Sequence, residues 1–275
     1  MNLFDYHLPL LTIEKPVRLI ECFAGIGAQA KALERLNVPF EHWRAYDNDR
    51  YAVASYNAIH GTDFTPTDIR DVRAADLGIT DTDRYEYILT YSFPCTDLSH
   101  AGKMAGMSKG SGTRSGLLWE IERILNECDT LPQVLLMENV VQVVADKNMP
   151  DFAAWCAALE AMGYTNYWQI LNARDYGVPQ NRERCFMVSI LGEYAYEFPA
   201  PIPLTIRMKD ILETDVDEKY YIVGEAADAL CSQIVHAERE RERDVAHGVR
   251  CGGKNTYEWK HAWDIVFEKP KSPPR

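Results

Sequence analysis

Polar and apolar positions along this 275-residue chain alternate between two periods. Short apolar runs rich in β-branched and aromatic residues occupy 18–23 (RLIECF), 42–47 (HWRAYD), 85–92 (YEYILTYS), 134–138 (VLLME), 167–171 (YWQIL) and 184–191 (RCFMVSIL). Between them, segments 28–36, 49–61, 115–128 and 151–163 return to an apolar residue every three to four positions. The first group has the length and composition of strands, the second the period of amphipathic helices. Strands separated by helices predict an α/β fold, a doubly wound and mostly parallel sheet covered on both faces. Ligands of such sheets sit at the carboxyl ends of the strands, so chemistry is sought in the residues just after each one.

Beyond about residue 198 the alternation fades into the proline-rich EFPAPIPL and an acidic turn region. The pattern therefore predicts a main domain over 1–200 and a short carboxy-terminal region over 201–275, with the run Glu238 to Asp244 as a solvated helix face. A hydrophobic content of 47% is enough for a substantial core. No stretch approaches the length of a membrane span, and the first residues lack a basic start followed by an apolar run, so neither export nor membrane insertion is expected. Seven cysteines, with no C-x-x-C and no histidine pair at ligand spacing, point to a reducing cytoplasm and no structural zinc.

The net charge of −12 argues against holding nucleic acid by diffuse electrostatics. A DNA ligand would need local contacts. Lys103, Lys109 and Arg114 lie in an acid-free segment, and residues 250–275 interleave basic side chains with Tyr257, Trp259 and Trp263. A solvated loop and a frayed tail are the alternatives for these two stretches.

Strand 18–23 runs into Ala24-Gly25-Ile26-Gly27 and then a helix, which places glycine where backbone must bend and approach a ligand. Asp47, ending the next strand, is placed to accept hydrogen bonds from two ribose hydroxyls, a layout that serves any adenosine-containing cofactor. Read with Ala30, the turn also satisfies G-x-G-x-x-A, so a nicotinamide cofactor and a tight turn without ligand both stay open. Asp68 could accept an adenine amino group or cap a turn, and Phe23 could stack on that ring or fill the core.

Cys95 follows Ser92-Phe93-Pro94 at the end of an apolar run. Pro94 fixes its own φ and biases Phe93 toward an extended conformation, so the thiol enters a loop at a strand end. Cys22, Cys156 and Cys185 lie inside strand or helix patterns and read as core. The glycines at 102, 106, 110, 112 and 116 suffice for a mobile lid. Glu138 follows VLLM beside Asn139, where a buried charge is costly, so it is expected to donate a proton; a helix cap or surface salt bridge is the alternative. Arg182 and Arg184 alternate at strand spacing and are expected on one face as planar donors, or else as surface charges.

Together a thiol, an acid and two guanidiniums can activate a pyrimidine. Sulfur adds to carbon 6 of a cytosine while Glu138 acts on ring nitrogen 3 and an arginine holds the ring carbonyl. Carbon 5 then attacks a sulfonium methyl group. Loss of the carbon 5 proton and elimination of sulfur complete the cycle. Inside a duplex that ring is unreachable, so the base must be flipped out at a cost on the order of a few kcal/mol.

These segments resemble the DNA cytosine-5 methyltransferases: FAGIG at 23–27, Asp47, Asp68-Ile69, FPC at 93–95, SGLLWEI at 115–121, ENV at 138–140 and YGVPQNRER at 176–184. The resemblance covers about residues 17–220. It implies a sheet of the S-adenosylmethionine-dependent methyltransferase type, S-adenosyl-L-methionine as cofactor, double-stranded DNA as partner and a restriction-modification setting. It implies Cys95 as nucleophile, Glu138 acting on ring nitrogen 3, and Arg184 with Arg182 near the target base. Phe23, Ala24, Gly25, Gly27, Asp47, Asn48, Asp68, Ile69 and Leu117 would line the cofactor pocket, and 99–116 would form the lid. Ser92, Thr96 and Ala28 depart from the family's usual glycine, glutamine and glycine. The family's later arginine-containing segment and glycine-asparagine motif are not evident after Arg184. The expectation is thus a small or incomplete carboxy-terminal region with a partial target-recognition segment, completed by a second polypeptide; a truncated frame and a degenerate relative are the other accounts. A catalytically silent binding relative and a transfer-RNA cytosine methyltransferase remain alternatives.

Overall fold

The structure, a computed structural model, describes residues 8–98, 105–225, 227–233 and 235–236. Lys103, the run Glu238 to Asp244 and the tail with Tyr257, Trp259 and Trp263 lie outside these residues, as does part of the expected lid. The elements are β1 (Val17–Cys22), α1 (Ala28–Arg35), β2 (Phe40–Tyr46), α2 (Arg50–His60), α3 (Ala74–Leu77), β3 (Glu86–Tyr91), α4 (Leu118–Glu127), β4 (Val134–Asn139), α5 (Met149–Ala161), β5 (Tyr164–Asn172) and β6 (Glu183–Leu191). The strands form one sheet in the order β2-β1-β3-β4-β6-β5. Every strand read from the sequence is present. Segment 115–128 begins as a 3-10 turn over Ser115–Leu117 before α4, and α3 is too short to leave a periodic signal.

β1 pairs in parallel with β2 and β3, and β3 with β4, whereas β6 is antiparallel to both β4 and β5. Only β6 therefore runs against the rest. Residues 173–182 leave no room for the helical crossover that parallel neighbours need, so β5 and β6 meet as antiparallel partners. Arg182 and Arg184 thus flank the start of a strand and not its end. They sit at the beginning of a reversed one, which delivers them to the same edge as the carboxyl ends of β1, β3 and β4.

The central strands are buried nearly throughout, which is why they read as continuous apolar runs. On α4, Leu118, Ile121, Ile124 and Leu125 form a stripe that is about 1% exposed or less and enters the main core. α5 contributes Phe152 and Trp155, and the Trp155 indole donates to Tyr91 Oη of β3 at 3.0 Å. Truncating a buried leucine such as Leu125 to alanine would cost about 2–5 kcal/mol. α2 starts where the Asp49 carboxylate accepts the Tyr51 and Ala52 N–H groups and stops at Gly61 in the left-handed region.

The chain divides into two compact units, Met1–Leu204 and Thr205–Arg275. Among its described residues the second unit contains 3-10 turns at Met208–Asp210 and Glu218–Tyr220 and exposes Ile211, Tyr220 and Val223. Among the described residues no helix is long and apolar enough to cross a membrane.

Candidate active site

The turn after β1 begins with Phe23 at φ 58°, a conformation an aromatic residue adopts only at a cost of about 1–2 kcal/mol. Gly25, at φ 55°, has open space where a Cβ would stand, so the backbone angle alone demands glycine there. Its N–H donates to Asp47 Oδ2 at 2.9 Å, and the Asp49 N–H donates to Asp47 Oδ1 at 2.9 Å. Both oxygens of Asp47 are thus oriented by backbone and keep further lone pairs for a ligand. Gly27 has a different reason to be glycine. A Cβ there would lie 2.3 Å from His60 Nε2 and 2.7 Å from the Tyr56 ring, so close packing of α2 on the turn requires the glycine.

The Thr67 N–H donates to the Asp47 carbonyl at 2.8 Å and brings the 67–70 turn beside β2. Asp68 takes the turn-capping role that the sequence left open beside an adenine contact. Arg70 grips it through Nε at 2.9 Å, Nη2 at 2.6 Å and its backbone N–H at 3.0 Å. Those donors hold the Asp68 carboxyl down to about 2.

A cavity of about 570 Å³ lies over this edge, within the size range of small-molecule sites. Phe23, Asp47, Asn48, Asp68, Ile69 and Leu117 line it. Ala24 and Gly25 line a separate small void with Tyr56 and Phe64, and Gly27 lines neither. Sequence reasoning missed Tyr46, Thr67, Arg70, Ser92, Pro94 and Gly112 to Arg114 in the cavity wall. Ser92 was visible only as a departure from the family's glycine. Here its hydroxyl oxygen accepts from Gln29 Nε2 at 3.2 Å.

Pro94 belongs to that wall, so the thiol that follows it is adjacent to the cavity. Cys95 is half-buried in a non-helical, non-strand segment between buried Phe93 and buried Leu98. Four long-range hydrogen bonds fix the segment. Asn139 at the end of β4 is 2% exposed and donates to the Phe93 carbonyl at 2.9 Å. The Ser115 hydroxyl donates to the Pro94 carbonyl at 2.6 Å, and Asp97 Oδ2 accepts the N–H groups of Arg114 and Ser115 at 2.7 and 3.2 Å. Burial pushes Cys128 and Cys156 up to about 11 and Cys185 up to about 12.

Glu138, on the same strand end as Asn139, faces the opposite side of the sheet and is not the bare buried acid expected. Its Oε1 lies 3.0 Å from Arg184 Nε, with each side chain a little over a fifth exposed. Across the β4–β6 ladder Glu138 is opposite Phe186, so Arg184 is its diagonal neighbour on one face. Arg182 does not join the pair. It precedes β6 and is exposed, its N–H donating to Asn172 Oδ1 at 3.1 Å. Buried Asn172 also donates to Asn181 Oδ1 and so anchors the loop that carries Arg182 and leads into Arg184, a role the sequence did not disclose.

The edge thus holds an oriented carboxylate and aromatic in one cavity, a thiol beside it, and an acid–guanidinium pair on the neighbouring strands. A family model of the C-5 cytosine-specific DNA methylases matches residues 17–268. The type II methyltransferase M2.ScrFI of Lactococcus lactis subsp. cremoris is 34% identical over 260 residues, covering 75% of this chain and 70% of its own. The orphan methyltransferase M.SssI of Spiroplasma monobiae is 35% identical over 264 residues, covering 74% and 67%. Among solved structures, the S. pombe Dnmt2 methyltransferase superposes with a TM-score of 0.60 at 25% identity, over 77% of this chain and 64% of that one.

Proposed function

From the chain's membership of the C-5 cytosine-specific DNA methylase family, which the match over residues 17–268 establishes, we propose that it transfers a methyl group from S-adenosylmethionine to carbon 5 of cytosine in DNA. The observation that carries the reading is the convergence at one sheet edge of Cys95, held through the Asn139–Phe93 bond, and the Glu138–Arg184 pair.

The cavity residues fit an adenosine-containing cofactor: Phe23 and Ile69 offer apolar faces, Asp47 an oriented acceptor for ribose hydroxyls, and Asn48 a side-chain amide. When bound, the cofactor supplies an electrophilic methyl group. The Cys95 sulfur forms a bond to carbon 6 of an extruded cytosine, and the π electrons of the 5,6 double bond move to carbon 5. Glu138 stabilises that electron shift by a hydrogen bond or proton at ring nitrogen 3. Arg184 positions Glu138 and supplies planar donors near the ring carbonyl. After methyl transfer the carbon 5 proton leaves, the sulfur–carbon bond breaks and the double bond re-forms.

Transfer of radiolabelled methyl groups to duplex DNA of mixed sequence, with and without competing transfer RNA, tests the reading. Label on cytosine carbon 5 of DNA, lost in Cys95→Ser, is the expected result. Tight cofactor binding with no transfer to any duplex would reject it, and transfer to RNA alone would change the substrate.

A further inference from the structure

On the opposite face of the glycine turn from the cofactor cavity, Glu34 of α1, His42 of β2 and His60 of α2 point at one another. We propose that they form a binding site for one divalent cation of the zinc type. Their ligand atoms all lie within 4.8 Å of one another. His60 Nδ1 is 3.0 Å and His42 Nε2 3.9 Å from Glu34 Oε1. Ligands about 2.0–2.1 Å from a tetrahedral zinc are roughly 3.3 Å apart, so the two distances straddle the required value and a small rotation of Glu34 reaches it.

The hydrogen bonds behind the cluster select the form of each ring that a metal needs. His60 Nε2 faces the Ile26 carbonyl at 3.1 Å, and a carbonyl can only accept. A neutral His60 therefore places its proton on Nε2 and turns the Nδ1 lone pair toward Glu34, itself an acceptor. A cation between them would take the place that the Nδ1 proton of a charged imidazole fills. The Tyr56 hydroxyl donates to buried Glu21 at 2.6 Å, which leaves its oxygen to accept from His42 Nδ1 at 3.1 Å. His42 then presents the Nε2 lone pair to the cluster. Such outer partners are what fix ring orientation and tautomer at histidine metal sites.

Two imidazole nitrogens and one carboxylate oxygen suit zinc better than calcium or magnesium, which take mainly oxygen. The His60 side chain is 0% exposed, while those of His42 and Glu34 are 19% and 31%, so solvent can reach the site and supply a fourth ligand. The other carboxylate oxygen of Glu34 is held by Lys31, which leaves Oε1 for the ion. A bound ion would join α1, β2 and α2 behind Gly27, whose missing side chain is what lets His60 sit against the turn.

The test uses the metal-stripped full chain, titrated with zinc chloride and, for its spectrum, cobalt chloride. One equivalent should bind, the cobalt showing tetrahedral d–d bands without a thiolate charge-transfer band. His42→Gln, at the half-exposed rim, and Glu34→Gln should each weaken binding by about tenfold or more with an unchanged far-ultraviolet circular dichroism spectrum. No bound equivalent, a thiolate band, or undiminished affinity in both variants would overturn the proposal and leave the cluster as a hydrogen-bonded ion pair only.

Discussion

Asp47 and Asp68, at the β1–β2 end of the sheet edge, each accept a backbone N–H two residues further along the chain, whereas Glu138 is met by Arg184 and Phe93 by Asn139, pairs 46 residues apart. The first end combines such local turns with donors to Asp47 from Gly25 and Thr67 in the neighbouring turns. At the second end placement depends on register. A one-residue slip of β6 against β4 would turn Arg184 to the far face and leave Glu138 without its partner. Cofactor binding and base chemistry should accordingly be separable by mutation.

The largest effect expected is that of Cys95→Ser, which should lower kcat by about 10³-fold or more while calorimetric affinity for S-adenosylmethionine stays within about twofold. A matched loss of cofactor affinity would erase the distinction between the two ends. Glu138→Gln should reduce kcat by about 10²–10⁴-fold, the span of a lost general acid. Arg184→Lys, which keeps the charge but loses the planar fork, should fall short of that, and steady-state kinetics at saturating cofactor would show whether kcat or KM carries the change.

Smaller still are effects on stability. Asn139→Ala removes the donor to a buried carbonyl and should cost about 1–3 kcal/mol in urea unfolding, with a loss of adduct-forming rate at saturating cofactor that Asp47→Asn does not share. Gly27→Ala should destabilise more than Gly25→Ala, since both oppose a positive φ but only the former also drives a methyl group into His60 and Tyr56. Equal costs would mean that the α2 packing is not what requires Gly27. The smallest effect belongs to Asp68→Asn. Because Arg70 depresses the folded-state value to about 2, the pair contributes stability above the unfolded value near 4 that is lost as pH falls through about 2. Arg70 is largely exposed, so wild type and Asp68→Asn should differ only slightly in Tm at neutral pH and converge in acid.

The central strands were legible because β1 and β3 are buried nearly throughout and so read as mostly apolar runs. Cys95, Glu138 and Asp47 were legible because they end such runs. The direction of β6 was readable too, from the short connection 173–182, but strand alternation alone favours parallel neighbours. What stayed hidden depends on which distant segments the fold brings together. Asn172, Asp97 and Ser115 are ordinary polar residues in sequence, and only the folded chain shows that they staple the arginine loop and the cysteine segment. Arg70's hold on Asp68 was likewise invisible, since either residue reads as a surface charge. Ligand spacing gave no hint of Glu34, His42 and His60, because they come from three elements.

The central claim is that Cys95 and Glu138 flank a single extruded cytosine. Incubating the full chain with S-adenosylmethionine and duplex DNA carrying 5-fluorocytosine, followed by denaturation and peptide mass spectrometry, tests it most directly. A stable adduct on the peptide containing Cys95, absent in Cys95→Ser and slowed in Glu138→Gln, is the predicted result. An adduct on another cysteine, or full methylation activity with no adduct at all, would contradict it.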